Sequence, residues 1–180
     1  MTGSRDDRRW RRIGDDRLVY DGFHRIWQRT YELPDGTRAE WDMQGVPATV
    51  SVLALTEHDQ AVLVRQFRAG PGRLQVSLPG GLVDDSEDVA TAAARELREE
   101  TGYACERVEV IGSTQSPNGL NPRWSAVAYG CVLAGEQRLD ELEDIEVVVW
   151  PVERLREELR TGALGTTEQT YLVLDHLGRL

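Results

Sequence analysis

Residues 81–103 end in a run, Arg95-Glu96-Leu97-Arg98-Glu99-Glu100, that places three carboxylates at positions i, i+3 and i+4. On an α-helix these spacings turn by about 300° and about 40°, so Glu96, Glu99 and Glu100 project from one face. Like charges at that spacing repel and weaken an isolated helix. A chain that keeps them together calls for a cation to neutralise them. Hard oxygen donors without a neighbouring His or Cys point to Mg²⁺, with Mn²⁺ as the alternative, rather than to Zn²⁺. An acidic, solvated helix face would account for the charges, but not for Gly81, Arg95 and Gly102 around them.

The rest of the chain reads as strands punctuated by turns and three helices. Residues 18–31 carry Val19, Phe23, Ile26, Trp27 and Tyr31 at spacings that suggest a strand pair. Pro34-Asp35-Gly36 makes a turn, and residues 37–43 return as a strand. Residues 49–55, 61–65, 74–78, 108–113, 125–133 and 147–149 read as further strands. Pro79-Gly80-Gly81 permits close backbone approach to a ligand. Asp84, Asp85 and Ser86 offer a helix start, Val89, Ala93 and Leu97 a packing stripe, and Gly102 a helix stop. The spacing predicts two more helices over 151–160 and 167–177. The loop 115–123, with two prolines and two asparagines, is expected to form a substrate wall.

At 180 residues, 40% hydrophobic and 29% charged, the composition is that of one soluble globular domain with a small extension. A formal net charge of −10 argues against general nucleic-acid binding, because phosphate backbones are repelled. All 21 basic residues are arginine, which excludes lysine chemistry and suggests a GC-rich, bacterial genome. Cys105 and Cys131 lack metal-ligand spacing and read as buried fillers in a reducing, cytoplasmic setting. No apolar run is long enough for a membrane span or a secretory signal. The basic stretch 5–12 is expected to be a short tail rather than a nucleic-acid arm.

Gly81, five residues, Glu87, seven residues, then Arg95-Glu96-Leu97-x-Glu99-Glu100-x-Gly102 resembles the complete box of the Nudix hydrolases. The resemblance implies an α/β fold, an α/β/α sandwich with a mixed sheet, here preceded by an N-terminal antiparallel β-hairpin extension. The expected organisation is a flexible basic tail (1–17), a β extension serving dimerisation (18–46) and the hydrolase domain (47–180). It further implies metal ligation by Glu96, Glu99, Glu100 and the Gly80 backbone carbonyl. Arg95, pairing with Glu87 or Glu99, would orient those ligands, and Glu99 counts with the catalytic groups as well.

Within the family the chain is most similar to the ADP-ribose pyrophosphatases. Their E-x-E-D-I stretch, source of the catalytic base, corresponds to Glu141 and then Glu143. Val64-Arg65-Gln66-Phe67-Arg68 resembles the strand whose last arginine meets substrate phosphate, here Arg68. Pro117, 15 residues beyond Gly102, matches a marker proline. Trp41, and Phe23 after it, are the counterparts of the aromatic residue that meets adenine. The implied partners are a nucleoside diphosphate sugar and a second copy of the chain. Ser77 stands where the family usually carries Glu, and Arg123-Trp124 replace a glutamate in the following loop. Two other readings remain open: hydrolysis of nucleoside triphosphates or dinucleoside polyphosphates, and a non-catalytic nucleotide-sensing module.

Overall fold

The computed structural model describes residues 9–22 and 24–180. The chain order is β1 (Arg11–Asp21), β2 (Arg25–Glu32), β3 (Arg38–Gln44), β4 (Thr49–Leu55), β5 (Gln60–Arg68), β6 (Arg73–Ser77), α1 (Val89–Thr101), β7 (Tyr103–Ala104), β8 (Arg107–Thr114), β9 (Arg123–Tyr129), β10 (Val132–Leu133), β11 (Ile145–Pro151), α2 (Val152–Thr161) and α3 (Thr167–His176). By contacts the chain divides into two compact units, Met1–Pro47 with Gln115–Pro122, and Ala48–Thr114 with Arg123–Leu180.

The first unit is a three-stranded antiparallel sheet in the order β1-β2-β3, the expected N-terminal antiparallel extension. Residues 11–17, expected in the tail, lie in β1. Apolar alternation could not reveal this first part of the strand, because its run Arg11-Arg12-Ile13-Gly14-Asp15-Asp16 is mostly exposed and bulged between Ile13 and Arg17. Asp16 at that irregularity accepts two hydrogen bonds from the Arg29 guanidinium on β2, at 2.8 and 2.7 Å. This forked pair holds the Asp16 carboxyl below the usual carboxylate range. Phe23 and residues 5–8 of the basic stretch lie outside the described residues.

The second unit carries the mixed sheet β11-β5-β4-β9-β8, with β6 paired to β5. Only β4 and β9 run parallel; the other pairs are antiparallel. Alternation along the central strands sends side chains to two cores. Val50, Val52, Ala54, Val62, Ala126 and Ala128 pack with Ala92, Ala93 and Leu97 of α1. Leu53, Leu63 and Val127 pack with Val152, Leu155, Val173 and Leu174 of α2 and α3. A sheet covered on both faces by helices is the expected sandwich, and it explains why β4 and β9 read as nearly unbroken apolar runs. Cys131 is buried in the α1-side core, and Cys105 packs half-buried against it.

Among the boundaries that differ from the sequence reading, two bear on the site. Helix α1 starts at Val89, because Asp88 is the N-cap and accepts from the backbone N–H groups of Ala90 and Thr91 at 3.0 Å. Strand β9 starts at Arg123, in parallel register with Thr49, so Arg123 and Trp124 belong to the sheet rather than to the loop.

Candidate active site

The sheet strand β6 delivers the chain to Pro79-Gly80-Gly81, which lies against the carboxylate face of α1. The Gly80 N–H donates to Glu100 Oε2 at 2.8 Å. Gly80 has φ +151°, and a Cβ there would stand 2.0 Å from the Val50 carbonyl oxygen. A Cβ at Gly81 would stand 2.5 Å from Glu96 Oε1. Glycine is therefore demanded at position 80 by the close approach to β4, while a side chain at position 81 would displace the Glu96 carboxylate. Gly80→Ala is expected to destabilise the fold by at least ~2 kcal/mol and to displace Glu100; thermal unfolding with steady-state assay checks both.

Arg95 organises the acidic face. Its Nη1 donates to Glu96 Oε1 at 2.8 Å and to Glu99 Oε2 at 3.0 Å, while Nη2 donates to Glu87 Oε2 at 3.0 Å and to the Leu82 carbonyl at 2.9 Å. Hydrogen bonding from Arg95 holds the Glu87 carboxyl below its ordinary range. Both partners anticipated for Arg95, Glu87 and Glu99, are thus engaged, with Glu96 added. Glu100 has no such neutralisation. It is 4% exposed, and burial pushes its carboxyl up to about 8, against the opposing hydrogen bond from Gly80. Burial also raises Glu96, with the charges of Glu99 and Glu143 adding to it.

Among the described residues no three His, Cys, Asp or Glu side chains stand gathered as a ready cation cage. Arg95 occupies oxygens of Glu96 and Glu99 instead. The donor set nevertheless fits a hard divalent cation: carboxylate oxygens only, with the Glu100 carboxyl buried beside the Gly80 backbone.

Of the two acidic-loop residues, Glu143 adds its negative charge to both Glu96 and Glu100. Glu143 is exposed, and its carboxylate accepts from the Asp140 N–H at 3.0 Å. Arg68, exposed at the end of β5, lowers Glu100 through its charge. Ser77 is buried beside Gly165, and its hydroxyl has no partner among the described residues. Arg123 pairs with Glu168 of α3.

Trp41 and Pro117 come together within the first unit. With Trp10, Tyr31, Met43 and Asn118 they line a cavity of about 360 Å³. The rings of Trp10 and Trp41 stand 5.3 Å apart between centroids, and Trp10 meets Tyr31 edge-on at 6.0 Å. Loop residues Asn118 and Leu120 bond the backbone of Gln44 at 2.7 and 2.9 Å, which brings Pro117 to β3. Sequence spacing alone misses Trp10, Tyr31 and Asn118 as cavity residues. It leaves Trp10 in the tail and makes Tyr31 only a strand marker.

The family model described as "NUDIX domain" matches residues 45–169. The chain is a Nudix hydrolase. This Nudix hydrolase is 32% identical over 126 residues to the ADP-ribose pyrophosphatase of Bacillus subtilis, covering 68% of each protein. It is 31% identical over 174 residues to the CMP-5'-(N-acetyl-N-hydroxy-3-aminopropyl)phosphonate hydrolase of Streptomyces rubellomurinus, covering 94% of this chain and 83% of that one. Its fold matches the crystal structure of an ADP compounds hydrolase with a TM-score of 0.79 at 20% identity, over 94% and 97% of the two chains. Nudix hydrolases generally use a divalent metal, in keeping with the carboxylate face of α1.

Proposed function

We propose that this Nudix hydrolase cleaves the phosphoanhydride bond of a nucleoside diphosphate sugar, ADP-ribose foremost, to two monophosphates. The carboxylate face of α1, braced by Arg95 and by the Gly80 N–H, carries this reading. A divalent cation, Mg²⁺ or Mn²⁺, held by Glu96, Glu99 and Glu100 with the Gly80 carbonyl, would neutralise phosphate oxygens and favour attack by water. Glu143 is the general base, because its charge reaches both Glu96 and Glu100. We infer this role for Glu143 rather than Glu141. Arg68 meets the substrate phosphate with a planar, fixed-charge fork. Arg95 keeps Glu96 and Glu99 on one side of the helix, and Glu87 anchors Arg95 from behind.

The names of the Bacillus and Streptomyces relatives both describe a nucleotide joined to a second phosphorus-bearing group, which supports a nucleoside monophosphate leaving unit. The cavity between Trp41, Trp10 and Pro117 suits a flat base, and stacking on such rings contributes ~1–3 kcal/mol. Trp41→Ala is accordingly expected to raise KM about 5- to 100-fold with kcat little changed. An unchanged KM would remove the base from that cavity. The exposed Leu18, Val19 and Tyr20 of β1, on a sheet edge, support a homodimer built on the first unit. A cytoplasmic setting belongs to the same reading; no helix of the described residues is long and apolar enough to cross a membrane.

The deciding experiment is a panel of ADP-ribose, other ADP- and CDP-linked compounds, nucleoside triphosphates and dinucleoside polyphosphates with Mg²⁺ or Mn²⁺. Two monophosphates from a diphosphate compound, with neither phosphate nor pyrophosphate released, are expected. Preferential release of pyrophosphate from triphosphates would overturn the substrate assignment. Tight nucleotide binding without metal-dependent turnover would overturn the catalytic one.

A further inference from the structure

The last turn of an α-helix leaves carbonyls without partners, and in α1 those carbonyls belong to the residues that carry the acidic face. A short strap, residues 134–138, takes them up. The Arg138 N–H donates to the Glu99 carbonyl at 2.8 Å, and the Ala134 N–H to the Gly102 carbonyl at 3.0 Å. Arg98 returns the contact by donating to the Ala134 carbonyl at 2.8 Å. Gln137 differs from the other strap residues, because its side-chain amide bonds in two directions. Nε2 donates to the Glu100 carbonyl at 2.6 Å and to the Ile145 carbonyl at 3.0 Å.

Both donor hydrogens of that amide are thus committed, one to the carboxylate helix and one to the first residue of β11. Between Gln137 and Ile145 runs the acidic loop with Glu143. The loop is otherwise held by its own turn, in which the Glu143 N–H donates to the Asp140 carbonyl and the Asp140 N–H to the Glu143 carboxylate, each at 3.0 Å. Its neighbour Leu142 is 97% exposed, so no apolar packing anchors the tip. Ile145, at the end of the loop, is buried and gives the bridge a fixed far point.

We propose that Gln137 is a positioning residue for hydrolysis, tying the base of the Glu143 loop to the Glu100 end of the box helix and so setting where Glu143 stands relative to the acidic face. This rests on the assignment of Glu143 as the base. Misplacing a reacting group by about 1 Å costs roughly 100-fold, so the tie acts on kcat rather than on substrate affinity.

The test is a kinetic cycle with ADP-ribose and Mg²⁺. Gln137→Met keeps the bulk of the side chain and removes both donors. Gln137→Asn keeps the amide on an arm too short to span both carbonyls, and it serves as the milder variant should the first fail to fold. Both are expected to lower kcat by about 10- to 100-fold, the methionine more, with KM within about threefold of wild type. In a Glu143→Gln background the same changes are expected to cost little more, because the group being positioned is already disabled. Equal fractional losses in both backgrounds, a change in KM alone, or an unaltered kcat would overturn the positioning role. Full turnover by Glu143→Gln alone would overturn the base assignment, and the role of Gln137 with it.

Discussion

Glu100→Gln is expected to abolish metal-dependent turnover while stabilising the metal-free fold at alkaline pH. Glu100 is buried, and its carboxyl is raised from 4.5 to about 8. A carboxyl raised on folding favours the native state fully below its unfolded value, and that contribution is lost as pH rises through about 8. The wild-type melting temperature without divalent metal should therefore fall between pH 5 and pH 8.5 more steeply than that of the variant. The gap is worth a few kcal/mol at its widest, since a tenfold change in a protonation equilibrium corresponds to about 1.4 kcal/mol. Glutamine keeps an oxygen for the Gly80 N–H but carries no charge. Loss of one anionic ligand, at about 4 kcal/mol, corresponds to a ~1,000-fold drop in rate. Mg²⁺ should also bind wild type more tightly as pH rises toward 8, with proton release, and this dependence should flatten in the variant. Parallel melting curves for the two proteins, or wild-type turnover by the variant, would contradict the burial argument and the ligand assignment respectively.

The second large effect is expected at Glu143. A general base contributes about 100- to 10,000-fold, so Glu143→Gln should lower kcat by that range and leave KM nearly unchanged. Glu141→Gln should stay within about threefold of wild type. Steady-state kinetics on both variants decides between them, and the reverse ranking would return the role to Glu141. The family resemblance offers both glutamates and puts Glu141 first. The proposal of Glu143 instead rests on its charge bearing on Glu96 and Glu100 together.

The same contrast runs through the fold. The alternation of Val50, Val52 and Ala54 against Leu53 is a local property, and by itself it marks a strand covered on both faces. The N-terminal sheet is only half legible in this way. Its last two strands have the turn Pro34-Asp35-Gly36 between them, whereas the first part of β1 is held by pairing and by the Asp16–Arg29 fork, which no pattern of apolar residues encodes. The start of α1 is ambiguous for a related reason. Asp84, Asp85 and Asp88 are all competent caps, and only the folded backbone shows which one accepts from Ala90 and Thr91.

Chemical class needed nothing beyond the order of residues. Three carboxylates on one helical face, with Arg95 preceding them and glycines at both ends, call for a hard cation, because helical spacing alone sets their direction. Tertiary structure decided what that face is surrounded by. It buried Glu100 while leaving Arg95 to Glu96 and Glu99, brought the charge of Glu143 to bear on Glu96 and Glu100, joined Trp10 to Trp41 and Pro117, and gave Gln137 two carbonyls to bridge. These depend on segments far apart in the chain, and their placement follows from pairing and packing rather than from local spacing.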